Sequence, residues 1–256
     1  MSEASLFKDV EALVFDVFGT VVDWYGSVIR EMANRSLSSS SEELKQFTEK
    51  DWADFVVEWR KGYYSLTRQI SEGMDGPRNA DILHRQILNS MLEKDKWSVL
   101  KRVFDEKELQ DINMIWHHLD GWADSSKGIV NLRKKFVVST LTNGNVRLMA
   151  DMAKHADLHW DVILSSEMMG TYKPNPAVYN GALHYLSVKP EQCAMVAAHI
   201  YDLRAAAKQG LRTVYVRRET EDSAEDRASV KSKKEGGEVD IVVDSLEELA
   251  ILLGCV

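Results

Sequence analysis

Leu13-Val14-Phe15 is an uninterrupted apolar run that stops on Asp16 and continues as Val17-Phe18-Gly19-Thr20. A run without polar alternation suits a strand covered on both faces, and such strands belong to parallel sheets sandwiched between helices. Sheets of that kind keep their ligand sites at the carboxyl ends of the strands, so Asp16 is delivered to the edge where chemistry takes place. Similar runs occupy residues 12–15, 136–141, 162–164, 194–198, 213–216 and 241–243, with helical stretches at 146–155, 176–186 and 202–209 between the later ones. Strands alternating with helices over short connections predict an α/β fold built on a Rossmann-like parallel sheet.

Residues 24–116 break that alternation and read as consecutive helices, with Trp52, Phe55, Val56, Trp59 and Tyr63 spaced along one helix face. Ser40-Ser41-Glu42-Glu43 reads as a capping box, Gly73-Met74-Asp75-Gly76-Pro77 as a turn, and residues 81–92 as a further helix. A helical block inserted after the first strand of a parallel sheet predicts a cap over the sheet's carboxyl edge. The chain then divides into an α/β core of residues 1–22 and 117–256 and a helical cap of residues 23–116. Asp23 and Trp24, where the chain departs for the cap, are expected to serve as hinge and packing residues. The seam between the two modules is where a ligand cleft is expected. Residues 219–240, rich in charge, Ser and Gly, are expected to form a mobile surface excursion before the last strand.

A net charge of −8 disfavours nonspecific binding to nucleic acid or to an anionic membrane, because nothing offsets phosphate repulsion. Cys193 and Cys255 have no metal-site spacing and are expected to be the unpaired thiols of a reducing compartment. No basic stretch followed by a long apolar segment opens the chain, and no run approaches the roughly 20 apolar residues of a membrane span. A cytoplasmic protein is expected. His84, His117, His118, His155, His159 and His184 likewise show no metal-site spacing.

Five separated segments resemble the haloacid dehalogenase superfamily, and more closely its type II 2-haloacid dehalogenases. They are Phe15-Asp16-Val17-Phe18-Gly19-Thr20, Glu58-Trp59-Arg60, Leu141-Thr142-Asn143-Gly144-Asn145, Tyr172-Lys173-Pro174, and Val196-Ala197-Ala198-His199 with Asp202. Together they span nearly the whole chain, and their order and spacing carry the resemblance.

The resemblance makes Asp16 a nucleophile, and a carboxylate displacing a leaving group from carbon forms an ester that water later cleaves. Phosphatases of this architecture carry a second Asp two residues on as general acid, and here that position is Phe18. A halide leaves already charged and stable, whereas phosphate-ester cleavage normally requires protonation of an alkoxide. Phe18 also keeps the site apolar, which leaves the carboxylate less hydrated. Thr142 and Asn143, at the end of the second long strand, are expected to hold a substrate carboxylate or to orient Asp16. Lys173 is held extended by Pro174 ahead of a helix capped by Asn175 with Pro176 in its first turn, and is expected to neutralise Asp16. Tyr179 resembles the family's pocket-lining tyrosine.

His199 and Asp202 occupy the region that supplies magnesium-binding carboxylates in the wider superfamily. Here the acids thin to Asp202, with Lys173 nearby, which suits a hard cation poorly, and neither metal nor cofactor is expected. Asp202 is expected to pair with Lys173 or to help activate water, and His199 to position that water. Arg60, beside the apolar stripe, is expected to project into the cleft and grip halide or carboxylate.

The resemblance therefore implies metal-independent hydrolysis of short 2-haloacids to 2-hydroxy acids through an aspartyl ester, acting on a small anionic substrate, in a homodimer. Three other readings use the same residues. One is an epoxide hydrolase of the cis-epoxysuccinate type, suggested by His199-Ile200-Tyr201-Asp202-Leu203 with Val216-Arg217-Arg218. The others are a magnesium-dependent phosphatase, which Phe18 disfavours, and a non-catalytic binding member.

Overall fold

The computed structural model describes residues 3–256; Met1 and Ser2, at the head of the expected core segment, lie outside the described residues. β1 (Ala12–Phe15) ends at Asp16, and the chain turns through Gly19 into the short β2 (Val22–Asp23). There follow α1 (Trp24–Ser38), α2 (Glu42–Lys45), α3 (Glu49–Ser71), α4 (Ala80–Leu92), α5 (Ser98–Val103) and α6 (Glu106–Asn113). β3 (Asp120–Gly121) then returns to pair antiparallel with β2. Strands and helices alternate from there: α7 (Ser125–Leu132), β4 (Val137–Thr142), α8 (Val146–His155), β5 (Val162–Ser165) and α9 (Pro176–Leu186). The last are β6 (Cys193–Ala197), α10 (Ile200–Lys208), β7 (Arg212–Val216), α11 (Ala224–Ser229), β8 (Ile241–Val243) and α12 (Leu246–Leu252).

Six strands form one sheet in the order β5-β4-β1-β6-β7-β8, and every pairing is parallel. The α/β class and the parallel sheet anticipated from the apolar runs are thus the observed ones. Because side chains alternate across a strand, each run feeds two cores. Leu13 and Phe15 of β1 join Val196 of β6 and Val214 of β7 on one face, while Ala12 and Val14 join Met195 and Tyr215 on the other. Burying each large apolar side chain of this kind contributes about 1.5–3 kcal/mol. The first core does not stop at the sheet. It runs on through Phe18, Trp24, Trp59 and Trp116 into Trp52, Phe55 and Trp97 of the helical block.

Two local expectations need correction, and one element carries no signal in the sequence. The ribbon of β2 and β3 is too short to leave a periodic signal, yet it sets Val22 opposite Gly121 and Asp23 opposite Asp120, joining the two ends of the helical block. Ser41 caps α2 singly, accepting from the Leu44 N–H at 3.3 Å. With Ser41 at the cap, Leu44 falls where a capping box needs an acceptor, and the reciprocal boxes occur instead at Thr48 with Asp51 and at Asp105 with Glu108. Residues 219–240 run mostly over the surface, as expected, but they are anchored: Val230, Ser232, Val239 and Asp240 are buried, and the Glu221 side chain turns inward. Asp222 accepts from the Ile200 N–H at 2.9 Å, so this segment caps α10.

Polar contacts tie the helical block to the sheet's carboxyl edge. Tyr63 Oη donates to the Asn143 carbonyl at 2.8 Å, Tyr172 Oη to the Pro77 carbonyl at 3.0 Å, and Asn175 Nδ2 to the Ser71 carbonyl at 3.0 Å. Buried His117 bridges Asp81 of α4 (2.9 Å) and Asp151 of α8 (3.0 Å). Burial works against charge on His117, but the two carboxylates raise its pKa above that of an ordinary histidine. A folded-state pKa above the unfolded value of about 6.5 gives stability that is present below that pH and lost as pH rises through the folded value. His117→Gln is therefore expected to cost more stability in urea titrations at pH 6 than at pH 9, and an equal gap at both would exclude a charged clamp.

No helix among the described residues is long and apolar enough to cross a membrane. Cys193 and Cys255 are both buried and free.

Candidate active site

β4 and β6 flank β1 on opposite sides, so the carboxyl end of β1 is the point where the winding of the sheet reverses and a crevice opens. Asp16 is the first residue beyond β1, and its N–H is held by the Val196 carbonyl at 3.0 Å. Lys173 arrives from the loop between β5 and α9, His199 from the cap position of α10, and Asp202 from that helix's first turn.

These four side chains meet. Lys173 Nζ donates to Asp16 Oδ1 at 2.9 Å and also to the Asp202 carboxylate. Asp16 Oδ2 accepts from Thr20 Oγ1 at 2.9 Å and faces His199 Nδ1 at 3.0 Å. Thr20 is itself fixed, because its hydroxyl oxygen accepts from the Ala198 N–H at 2.8 Å. His199 Nε2 lies 2.8 Å from Glu221 Oε2 and 3.1 Å from Tyr64 Oη. Glu221 Oε1 accepts from Trp24 Nε1 at 2.8 Å.

The cluster is almost closed to solvent, with Asp16 7 % and Asp202 0 % exposed. Burial alone would raise the Asp16 pKa, but Lys173 and His199 hold it well below the usual carboxylate range. Burial would also strip the proton from Lys173, and Asp16 with Asp202 outweighs it, so the ammonium persists. For His199 burial is again opposed, here by the Tyr64 oxygen and the Asp16 and Glu221 carboxylates, which together raise its pKa well above the ordinary value. Asp202 is pushed upward by burial, against the pull of Lys173. Three carboxylates (Asp16, Asp202, Glu221) thus stand against three cations (Lys173, His199, Arg60).

Arg60 stands at the edge of a cavity between the helical block and the sheet, enclosed by aromatic rings and 4 % exposed. Its Cζ stands 4.4 Å from the Tyr64 ring, 5.1 Å from Phe18, 5.3 Å from Trp24 and 5.5 Å from Tyr63. Nη2 donates to Tyr64 Oη at 3.0 Å, whereas the buried Nε and Nη1 have no partner among the described residues. Behind them His84 stacks on Trp116, with ring centroids 4.4 Å apart. Burial, then the nearby Arg60 charge, lowers the His84 pKa far below normal, so that wall is neutral. A buried cation that reaches a carboxylate, Glu221, only through space is costly, and ring faces offset part of the cost. The compartment is chemically suited to an anion.

Two cavities reach the cluster. One, of about 480 Å³, is lined by Trp24, Arg60, Tyr64, His199, Tyr201 and Glu221 among others, and one of about 190 Å³ by Tyr64, Thr67, Asn143, Lys173 and Tyr201 among others. Tyr64 and Tyr201 stand between them.

Other expected residues take different stations. Thr142 is fully buried and its hydroxyl oxygen accepts from the Gly144 N–H at 3.1 Å, within its own turn. Asn143 Oδ1 accepts from the Lys173 N–H at 2.8 Å, which fixes the lysine loop. Tyr179 lies behind Asp202, donating to Oδ1 at 2.5 Å, instead of lining a cavity, because its face of α9 packs on the sheet. Trp24, expected only as packing, also anchors Glu221. Arg218 holds the Thr20 carbonyl at 3.0 Å and pairs with Asp124, and Arg217 pairs with Asp244. Thr20, Tyr64, Tyr201 and Glu221 are not singled out by the sequence; Thr20, within the Asp16 turn, and Tyr201, within the His199–Leu203 run, lie in segments that carry a signal.

The haloacid dehalogenase-like hydrolase family matches residues 10–210. (S)-2-haloacid dehalogenase 4A of Burkholderia cepacia is 27 % identical over 255 residues, covering 97 % of this chain and 96 % of that protein. Among solved structures, an L-2-haloacid dehalogenase is similar at 32 % identity and a TM-score of 0.78, with 95 % of this chain and 99 % of that one covered. A defluorinating L-2-haloacid dehalogenase is similar at 31 % identity and a TM-score of 0.82, with coverage of 96 % and 95 %.

Proposed function

The chain belongs to the haloacid dehalogenase-like hydrolases, and on that footing we propose that it hydrolyses short 2-haloacids to 2-hydroxy acids through an ester on Asp16. The observation that carries this reading is the buried Arg60 guanidinium, two of whose nitrogens lack a partner, in an aromatic compartment walled by Phe18. A halide departing into that compartment meets a fixed cation between ring faces, which favours the charge that develops as the carbon–halogen bond breaks. Asp16 attacks the α-carbon from the opposite side, so configuration inverts. Lys173 and Thr20 hold the carboxylate in one orientation. Residues 23–116 act as a cap that contributes Arg60, Tyr63 and Tyr64, while Asn143 sets Lys173 and Thr142 the main-chain turn at Gly144.

Magnesium does not fit this donor set. Asp202 spends its oxygens on Lys173 and Tyr179, and Asp16 spends its own on Lys173, Thr20 and His199. A hard divalent cation needs several free oxygen ligands, and three cations already neutralise the acids.

Chloride release from each enantiomer of 2-chloropropionate, measured in a metal chelator, tests the proposal. Turnover of one enantiomer, unaffected by the chelator, is expected. Magnesium-stimulated phosphomonoester hydrolysis without chloride release would overturn it. Arg60→Lys keeps the charge but loses the planar fork, and is expected to lower kcat/KM for chloride release by about 100-fold. An unchanged value would remove Arg60 from the leaving-group site.

One observation favours a second reading. His199, beside Asp16 and held protonated by two carboxylates, is a ready proton donor for the alkoxide that forms when a carboxylate opens an epoxide. Faster turnover of cis-epoxysuccinate than of any 2-haloacid would establish that reading instead.

A further inference from the structure

Glu221 is built into the site with care. Gly19 has φ +83°, and a Cβ there would lie 2.1 Å from Glu221 Cδ, so the turn after Asp16 is glycine both for its backbone and to make room for this carboxylate. Trp24 Nε1 at 2.8 Å and Thr220 Oγ1 at 2.9 Å both donate to Oε1, which leaves Oε2 directed at His199 Nε2. The other ring nitrogen, Nδ1, faces Asp16. A carboxylate behind an imidazole whose far nitrogen faces the reacting group is the arrangement that makes histidine an effective base.

We propose that Glu221 is the positioning residue of a Glu221–His199 pair that activates the water attacking the Asp16 ester. The inference rests on the ester mechanism above and decides between the two groups that stand near enough to serve. Asp202 is fully buried with both oxygens occupied, whereas His199 lines the 480 Å³ cavity through which water arrives.

The step balances as follows. His199 is faced by Asp16, Glu221, Tyr64 and Tyr201, with Arg60 beside Glu221 and Lys173 on the far oxygen of Asp16. In the resting site the imidazolium pairs with two carboxylates. Ester formation expels halide and cancels the Asp16 charge, and the Nδ1 proton then leaves to solvent, which accounts for the one proton released per turnover. Neutral His199 takes a proton from water as the water oxygen bonds to Asp16 Cγ. The tetrahedral adduct collapses by breaking the bond from Cγ to the ester oxygen, and the departing alkoxide takes the proton from the imidazolium. Asp16 is left as a carboxylic acid, whose proton passes to Nδ1 and restores the starting ion pair.

The test compares wild type, Glu221→Gln and Glu221→Asp, mixed rapidly with 2-chloropropionate and, in parallel, with cis-epoxysuccinate. Chloride and intact mass are followed over one turnover, and the steady-state rate against pH. For Glu221→Gln, a chloride burst is expected to persist while the steady rate falls about 100-fold, with the ester adduct accumulating on the protein. The acidic limb of its pH profile is expected to move to lower pH, because an imidazole without its carboxylate loses its proton more readily. Glu221→Asp should recover part of the rate. Burst and steady rate falling together, an adduct that never accumulates, or an unmoved acidic limb would overturn the proposal. An ester formed by wild type only from cis-epoxysuccinate would sink the haloacid reading and still support the pair if Glu221→Gln accumulates that ester. No ester from either compound would overturn both.

Discussion

Asp16→Asn is expected to abolish chloride release from the enantiomer of 2-chloropropionate that the wild type turns over, by at least about 10⁴-fold, with no adduct in the intact mass. An amide nitrogen or oxygen is a poor nucleophile at carbon, and no other carboxylate on this edge is free to replace it. Asp202 is saturated by Lys173 and Tyr179, and Glu221 by His199 and Trp24. The same partners should preserve the fold, since Lys173 keeps Asp202 and His199 keeps Glu221 when Asp16 loses its charge. Chloride assays over a long incubation, beside a thermal melt, check both halves of the expectation. Release from that enantiomer within tenfold of wild type would remove Asp16 from the chemistry altogether.

The second large effect is on stability. Lys173→Met leaves Asp16 and Asp202 converging on a site that had a cation between them, with side chains only 10 % and 0 % exposed. Breaking a buried ion pair from one side costs about 3–5 kcal/mol, because the partner charge stays buried and uncompensated. The pH dependence has a definite sign. Without Lys173, burial and the Asp16 charge push Asp202 further above its unfolded pKa while His199 still holds Asp16 down, and a carboxyl raised in this way destabilises the fold increasingly as pH rises past the unfolded value. Lys173→Met should therefore be nearest to wild type at about pH 4–5 and farthest from it at pH 8 in urea titrations. Chloride release should be lost as well, since the nucleophile is no longer held. A wild-type urea midpoint at pH 8 would show that the lysine is not what keeps the two acids together.

The sheet was legible because its strands are buried on both faces, so their apolar runs survive as uninterrupted signals that local reading detects. Asp16, Lys173 and Asp202 were legible for a related reason: each sits where such a run, or a proline-led helix, starts or stops. Glu221 was not, because it is one acid in a stretch whose composition resembles solvated chain. Its inward turn is decided by Trp24 and His199, which are remote in sequence or belong to another strand's end. Tyr179, expected in the pocket from resemblance alone, lies one layer back with its hydroxyl on Asp202, because a matching position does not say what its face of the helix packs against. Arg60 was rightly set outside the apolar stripe, yet Phe18, Trp24 and Tyr64 close around it from different elements, which no single-helix pattern reveals.

Phe18, Trp24 and Tyr63, three of the four rings around Arg60, belong to the same continuous core that joins sheet and helical block. Pocket shape and thermodynamic stability are therefore not separately adjustable in this protein. Trimming Phe18, Trp24 or Trp59 to admit a bulkier leaving group would also open a void in the core, at about 3–5 kcal/mol per aromatic removed, against a typical reserve of about 5–15 kcal/mol. Lys61, Thr67, Arg68 and Thr220 also line the two cavities without belonging to that core. Divergence of substrate range, in nature or in the laboratory, is channelled toward those positions, while the leaving-group compartment stays conservative because the fold depends on it.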